Sequence, residues 1–273
     1  MAVKDLLVLV DSDTASRRRM EYALDIAARF DARVTALALI PHPYVPAMIG
    51  VHIPADLVEA QVREGERAAE HALQAAEAVA SGRGRPLVPM TASGSVEVIE
   101  QSFVRAAHLA DLCVVGQPDE ASIAFLAETA FLRTGRPAIV VPAVGAKPGP
   151  ARCTMVAWNG SREAARAVHD ALPFLIEAER TIVLSIDGPA AGTEASGSDL
   201  AAHLARHGVR AEVSALPSGG LTVGDAILAR AADESADLLV MGGYGRSRMR
   251  ELILGGATRQ ILTQMTLPTL LSH

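Results

Sequence analysis

The sequence predicts an α/β protein built from two tandem modules, each a five-stranded, doubly wound parallel sheet. Short apolar runs alternate with Ala-rich helical segments along the 273 residues, and 50% of the residues are hydrophobic. Three sequence signatures recur in the same order in the two halves, and a Pro/Gly-rich stretch at 144–150 separates the halves. Continuous apolar strands joined by helices are typical of a parallel sheet that is covered on both faces.

The three signatures indicate that one unit is duplicated. They are an apolar run that ends in a polar turn, an Ala-Asp-Leu segment that ends in glycine, and a proline followed by an apolar strand. They lie at 6–12, 110–116 and 136–141 in the first half and at 155–161, 236–242 and 267–271 in the second. Repeats in one order point to a repeated structural unit, and we expect domains at 1–143 and 151–273.

Apolar runs and helical patterns place five strands and four helices in each half. The first half has predicted strands near 5–10, 33–39, 86–91, 111–115 and 138–142, and helices near 14–30, 55–81, 95–109 and 121–132. The second half has predicted strands near 153–158, 180–186, 210–215, 237–241 and 267–271, and helices near 162–176, 197–207, 222–233 and 256–264. In such sheets ligands bind at the carboxyl ends of the strands, where the strand order reverses.

A glycine-rich segment follows the fourth predicted strand of the second half. It reads Gly242-Gly243-Tyr244-Gly245-Arg246-Ser247, and Gly255-Gly256-Ala257-Thr258 precede the last predicted helix. Glycine lets backbone N–H groups approach an anion closely, and a helix N-terminus adds unpaired donors and a positive dipole end. The pattern predicts a phosphate cradle, while tight turning without a ligand stays open as the alternative reading.

The spacing Gly242-x-x-Gly245, nine residues, then Gly255 is similar to the nucleotide motif of the universal stress protein family. The apolar strands before and after this segment also match. So does the opening at 156–161, where the family commonly has an apolar strand that ends in Asp-Gly-Ser. The resemblance covers nearly the whole chain as two tandem modules and implies the adenine nucleotide alpha hydrolase-like fold.

The resemblance implies that the second half binds an adenine nucleotide, ATP or AMP, with Mg²⁺ if the ligand is a triphosphate. Glycines and helix-start residues would surround the phosphates and ribose, one polar residue would contact the nucleoside, and apolar residues would line the adenine. The implied site residues are Ala157, Asn159, Ile186, Met241, Gly242, Tyr244, Gly245, Gly255, Gly256, Ala257 and Thr258.

Two of these positions depart from the family pattern. Gly256 stands where the family has Ser or Thr, which removes a hydroxyl but leaves the backbone donor. Asn159 stands where the family has Asp, and a neutral amide accepts hydrogen bonds at only one atom. We expect both changes to weaken nucleotide binding without abolishing it.

The first half lacks the glycine cradle. Gln117-Pro118-Asp119-Glu120 follow Gly116, and the next glycine is Gly135. Proline has no N–H to donate, and the two carboxylates would repel a phosphate. Asp11 keeps the position of the nucleoside contact but would bind little alone. We therefore expect no phosphate-type nucleotide site in the first half.

Composition narrows the class of protein further. The formal net charge of −6 argues against a general nucleic-acid binder, which needs a basic surface. The two cysteines, Cys113 and Cys153, form no CxxC pair, which excludes a disulfide scaffold and a thiolate zinc site. No apolar run approaches the roughly 18 residues that a membrane helix needs. We expect a cytoplasmic protein without a membrane segment.

The last predicted strand of each half would lie at a sheet edge, and apolar edges favour pairing. In the resembled family these strands pair between modules, so we expect the halves to pack as an intramolecular pseudo-dimer. A further homodimer is left open.

The resemblance implies a stress-response regulator or sensor in which nucleotide binding changes the shape or the surface for a protein partner that the sequence does not identify. Two alternatives stay open. One is a ligand-free interaction protein of the same fold, motivated by Gly256 and Asn159. The other is an enzyme, such as a nucleotidyl transferase or hydrolase. No recognisable acid–base pair accompanies the glycine segment, so we expect at most slow ATP hydrolysis.

Overall fold

The computed structural model describes residues 3–43, 55–118, 125–144, 152–188, 195–244 and 256–273. Within these ranges the chain forms ten strands and eight helices. In the first half the elements are β1 Asp5–Val10, α1 Thr14–Phe30, β2 Arg33–Pro41, α2 Ala55–Gly82, β3 Leu87–Gly94, α3 Val96–Ala107, β4 Leu112–Gly116, α4 Phe125–Leu132 and β5 Ala138–Val141. In the second half they are β6 Cys153–Ala157, α5 Arg162–Glu177, β7 Arg180–Ile186, α6 Gly197–Arg206, β8 Ala211–Leu216, α7 Val223–Asp233, β9 Leu238–Gly242, α8 Ala257–Gln264 and β10 Thr269–Ser272.

All ten strands belong to one sheet, in the order β3-β2-β1-β4-β5-β10-β9-β6-β7-β8. Neighbouring strands are parallel except β5 and β10, which pair antiparallel. Each half therefore has its first strand at the centre, with the second and third strands on one side and the fourth and fifth on the other. The strand order reverses at β1/β4 and at β6/β9, and the predicted α/β doubly wound fold class is confirmed.

Helices cover both faces of this sheet because the central strands are apolar on both sides. In β1, Leu6 and Val8 pack into a core that includes residues of α1, α2, α5 and α6. Leu7 and Leu9 point to the opposite face, into a core that includes residues of α3, α4, α7 and α8. Successive side chains of a strand alternate between faces, so both layers run continuously across the two halves.

The two halves meet at the β5–β10 pair, in which Val140 faces Thr269 and Ile139 faces Leu270. The sequence predicts each of these strands at the edge of its own half. In the structure the two strands pair with each other, and β3 and β8 form the outer edges of the joint sheet. On one face of the sheet, the rings of Phe30 and Phe174 pack edge-to-face with centroids 5.2 Å apart. The junction therefore combines backbone hydrogen bonds with side-chain packing.

The halves differ most between their second and third strands. There α2 has 28 residues, whereas its counterpart α6 has 10. The sequence predicts a longer helix here, and its 55–81 estimate agrees with α2 to one residue. The segment 44–54 that precedes α2, and residues 121–124 at the start of the helix predicted at 121–132, lie outside the described residues.

The pH dependence of stability tests whether the thiol of Cys113 is buried in the core. Its side chain in β4 is fully buried, and burial raises the pKa of the thiol to about 12 from an ordinary 9.0. The unfolded chain ionises near pH 9 while the folded chain keeps a neutral thiol, so this residue's contribution to stability is lost as pH rises from 9 towards 12.

We expect the difference in unfolding free energy between the wild type and Cys113→Ala to narrow above pH 9, by about 1.4 kcal/mol per pH unit. Chemical denaturation at pH 8 and pH 10.5 measures this difference. A difference that stays constant between the two pH values would contradict a buried, neutral thiol.

Candidate functional site

A crevice opens at the carboxyl ends of β6, β7 and β9, where the strand order of the second half reverses. It encloses about 700 Å³ when its open mouth is included. Its wall combines apolar side chains from the strands and α7 with small and polar residues at the turn after β6 and the start of α8. The lining residues are Ala157, Trp158, Asn159, Leu184, Ile186, Val223, Ile227, Met241, Gly242, Ala257 and Thr258.

The crevice brings together most of the residues that the family resemblance implies. Seven of them line it: Ala157, Asn159, Ile186, Met241, Gly242, Ala257 and Thr258. Gly256 immediately precedes α8 as its N-cap residue. Gly245 and Gly255 lie outside the described residues. Tyr244 is close by, but its ring takes another direction. The ligand-binding role of the set stays a prediction.

The N-terminus of α8 is suited to an anion. Gly256, its N-cap residue, has an extended backbone (φ −62°, ψ 145°) and no side chain that could accept from the first turn. The first turn also carries no acidic residue. The first N–H groups of a helix have no partner within the helix, and their dipoles favour negative charge. The absence of a hydroxyl at 256 therefore leaves these donors without a side-chain cap.

The turn that leaves β9, residues 242–244, leaves no space for side chains at its two glycines. A Cβ on Gly242 would lie 2.5 Å from the backbone nitrogen of Ala164 in α5. A Cβ on Gly243 would lie 2.4 Å from Cε2 of Phe131 in α4 of the first half. Both distances are shorter than real Cβ contacts, so close packing requires glycine here. We call this segment the 242–244 turn.

Tyr244 ends the turn and contributes backbone, rather than its ring, to the crevice. Its N–H donates to Oγ1 of Thr258 over 3.1 Å. Its ring stacks on Phe131, with centroids 6.1 Å apart and planes 20° apart, and its hydroxyl donates to Glu128. The family resemblance identifies the position, but the side chain points into the first half because α4 packs beside the turn.

Asn159 presents its amide nitrogen and an oxygen that already takes one hydrogen bond. Its Oδ1 accepts from the N–H of Ser161 over 3.1 Å. The Ser161 hydroxyl in turn accepts from the N–H of Ala164 over 3.2 Å and caps α5. The oxygen keeps a second lone pair, so Asn159 offers the crevice one remaining acceptor site and a donor at Nδ2, whereas an aspartate would offer a second acceptor oxygen in place of the donor.

Charge around the crevice is uneven. Asp187 follows β7 with a left-handed backbone (φ 46°), and its Oδ1 accepts from the N–H of Ser218 over 2.9 Å. Hydrogen bonds from Ser218 hold the pKa of Asp187 below its usual value, so the carboxylate is charged at neutral pH. A ligand with one anionic end would therefore direct that end towards α8 and away from β7.

Four lining residues were missed by sequence reasoning: Trp158, Leu184, Val223 and Ile227. Two signals were available. Leu184 lies two residues before Ile186 and so shares its face of the strand. Val223 and Ile227 are four apart on α7, which places them on one helix face. Trp158 is 7% exposed, and its indole N–H donates to the backbone oxygen of Ala195 over 2.8 Å.

An arginine lies beside the corresponding strand ends of the first half. The side chain of Arg19 in α1 is only 4% exposed, and its Nη2 donates to Oδ2 of Asp11 over 2.9 Å. A Cβ on Gly116 would lie 3.0 Å from Nη1 of the same guanidinium. At Gly242, the equivalent neighbour is the backbone of α5. The absence of a phosphate-type nucleotide site in this half stays a prediction.

Among the residues described, no helix is long and apolar enough to cross a membrane. The same residues include no group of three or more His, Cys, Asp or Glu side chains that could hold a metal ion.

The fold is that of an α/β protein with one ten-stranded sheet, and the crevice in its second half is a candidate anion-binding site. The family model described as the universal stress protein family matches residues 152–273. Residues 152–273 are therefore a universal stress protein domain, and the family resemblance indicated by the glycine motif is confirmed.

Individual relatives are distant. A universal stress protein of Synechocystis sp., Slr1230, is 41% identical over 46 residues, which are 17% of this chain and 16% of that relative's length. The solved structure of a universal stress protein from Archaeoglobus fulgidus DSM 4304 matches with a TM-score of 0.73 at 16% identity, over 99% of this chain and 96% of the other. A candidate universal stress protein from Pseudomonas aeruginosa UCBPP-PA14 matches with a TM-score of 0.59 at 13% identity, over 99% and 93%. These two similarities show the fold alone.

The close packing around the 242–244 turn predicts that Gly242→Ala destabilises the protein. The new methyl group would meet the backbone of α5, which cannot move aside as a flexible side chain would. We expect a loss of about 1–3 kcal/mol in unfolding free energy, the range found for overpacked sites.

Gly82→Ala is the matched control, because a Cβ at Gly82 would meet nothing within 4 Å. Thermal and denaturant unfolding of both variants measures the effect. Equal stability of the two variants would show that the approach of the turn to α5 is not tight.

Proposed function

We propose that the second half binds an adenine nucleotide, ATP or AMP, in the crevice at the carboxyl ends of β6, β7 and β9. The observation that carries this proposal is that seven residues implied by the nucleotide motif line one cavity. Apolar side chains lie towards one end of that cavity and a helix N-terminus towards the other. A ligand with a flat apolar base and an anionic tail matches both ends.

Each part of the nucleotide has a counterpart in the crevice. The adenine would lie against Ala157, Ile186 and Met241, which are apolar and line the cavity at the strand ends. The phosphates would accept from the N–H groups at the start of α8, because the N–H groups of Gly243 and Tyr244 already donate within the protein. The Thr258 hydroxyl accepts from the N–H of Tyr244 and keeps its own proton to donate. The Asn159 amide would donate to the nucleoside.

Mg²⁺ belongs to the proposal only with a triphosphate. The described residues include no carboxylate cluster that could hold a metal. The Mg²⁺ ion would therefore be coordinated by phosphate oxygens of the triphosphate and by water molecules. The proposal needs no catalysis. In the described part of the crevice wall, the polar side chains are Trp158, Asn159 and Thr258, and none is a general base at neutral pH.

We further propose that the protein is a cytoplasmic stress-response regulator in which nucleotide occupancy changes the shape or a surface for a protein partner. The first half takes no part in phosphate binding in this proposal. The Arg19 guanidinium beside Gly116 and its ion pair with Asp11 support that view, because they occupy the corresponding strand ends.

A second candidate is a ligand-free interaction protein of the same fold. Asn159 favours it, because its single acceptor oxygen already takes one hydrogen bond from Ser161, which leaves fewer acceptor sites for ribose hydroxyls than an aspartate would offer. Gly256 gives this candidate less support. Without a capping side chain at residue 256, the N–H groups at the start of α8 stay available to a ligand. The two candidates differ in whether purified protein binds nucleotide, so one measurement separates them.

Nucleotide binding is tested first on the wild type. Freshly purified protein is denatured, and released small molecules are identified by chromatography and mass spectrometry. Apo protein is then titrated with ATP, ADP and AMP while the fluorescence of Trp158 is recorded. The sequence has 1 tryptophan, and it lines the crevice. Its fluorescence should therefore change when a ligand occupies the crevice. No released nucleotide and no response at millimolar concentrations would favour the ligand-free candidate.

Ala257→Asp should weaken ATP binding without unfolding the protein. Position 257 is the first residue of α8, where a carboxylate stabilises a helix through the dipole but repels a phosphate. We expect at least about a tenfold rise in the Kd of ATP, because two like charges near a surface repel by a few kcal/mol.

Ala257→Asn is the matched control, since it has nearly the same shape and no charge. It should keep most of the affinity in the same fluorescence titration. Equal affinities for the two variants would place the phosphates away from the start of α8.

A further inference from the structure

The 242–244 turn is held from several sides, and one of them belongs to the other half of the chain. The N–H of Gly243 donates to the backbone oxygen of Ser272 over 2.8 Å, and the oxygen of Gly243 accepts from Nδ1 of His273 over 2.9 Å. These contacts, with α5 behind Gly242, come from the second half itself. Further contacts come from α4 of the first half, through Phe131 and Glu128.

The backbone of Tyr244 needs this support. Its φ of 52° lies in the left-handed region, which residues other than glycine adopt only when other contacts compensate. A glycine would adopt this conformation freely but could not make the ring stack on Phe131 or the hydrogen bond to Glu128. The Tyr244 side chain thus offsets the backbone strain through contacts with α4.

Strain at Tyr244 bears directly on the crevice. The N–H of Tyr244 donates to the hydroxyl of Thr258, which lines the cavity at the start of α8. The adjacent Gly242 lines the same cavity. A turn that loses its left-handed residue would therefore shift the Thr258 hydroxyl and the adjoining start of α8, which hold the donors proposed for the phosphates.

We infer that Glu128 and Phe131 of the first half are positioning residues for the nucleotide site of the second half. They fix the 242–244 turn, whose Tyr244 N–H holds the Thr258 hydroxyl at the start of α8, although neither lines the cavity among the described residues. This inference rests on the proposed function. In this inference the first half contributes to nucleotide binding by holding the turn in place, without binding a ligand itself.

Among the residues that the structure describes, the contact is not matched on the other side of the junction. There Gln117 takes the position that corresponds to Gly243, and its Nε2 donates over 3.0 Å to the backbone oxygen of Thr263. Thr263 lies near the end of α8, away from the N-terminus that faces the crevice. The first half therefore supports the site of the second half, and the reverse contact reaches no crevice residue.

The first test removes the hydrogen bond from either side. Tyr244→Phe keeps the ring stack and loses the hydroxyl, and Glu128→Leu loses the acceptor. Each should raise the Kd of ATP, measured by Trp158 fluorescence, about tenfold, which is the effect of losing one hydrogen bond to a charged group. The double variant should bind as weakly as either single variant, because both remove the same contact. Additive losses would overturn the inference.

Two further variants separate positioning from general stability. Glu128→Gln keeps an oxygen that can accept from the tyrosine and should restore near wild-type affinity. Glu177→Gln is the control across the same junction, because Glu177 pairs with Arg29 far from the turn. It should leave the Kd unchanged. If Glu177→Gln lost as much affinity as Glu128→Leu, general loosening of the junction between the halves would explain both losses, and the inference would be wrong.

A second readout needs no nucleotide. Hydrogen exchange of the peptide that contains the Tyr244 amide should speed up at least fivefold in apo Tyr244→Phe and apo Glu128→Leu, and stay unchanged in Glu177→Gln. Unchanged exchange in all three variants overturns the inference. If the wild type binds no adenine nucleotide while exchange responds as expected, the proposed ligand is wrong and the anchoring of the turn stands.

Discussion

The antiparallel pairing of β5 with β10 is the interaction on which the rest of the molecule depends. It joins two parallel sheets through their last strands, and Val140 and Ile139 are buried in this pairing with Thr269 and Leu270. Two apolar edges that would otherwise attract other chains are covered within one molecule. The same pairing brings α4 of the first half beside the turn that follows β9, so the junction determines the surroundings of the crevice.

The crevice itself follows from strand order. When β6 and β9 lie side by side and their connections leave on opposite faces, a gap opens at their carboxyl ends. Small residues decide what can enter that gap. Gly242 lets the turn pack against α5, and Gly256 leaves the start of α8 without a side-chain cap. Shape and electrostatics at this edge thus come from backbone groups more than from charged side chains.

Sequence reasoning predicted the fold almost completely. Strands and helices leave their apolar periodicity within short stretches of sequence, and the strand-end signatures recur in the same order in both halves. The family resemblance also named seven of the eleven residues that line the crevice, and their role in binding a ligand stays a prediction. The direction of the Tyr244 ring could not be predicted, since it depends on α4, which is more than 100 residues away in sequence. The position of Arg19 was equally hidden, because a basic residue at the start of a helix usually faces solvent.

Arg19 has a consequence for how the two halves respond to their surroundings. In the first half, the buried guanidinium is paired with Asp11 at the ends of β1 and β4, so the chain itself supplies the counter-ion of this cation. In the second half, the first turn of α8 carries no acidic residue. A negative charge at that helix start therefore has to come from outside this turn, whereas the counter-ion of Arg19 is fixed by the sequence.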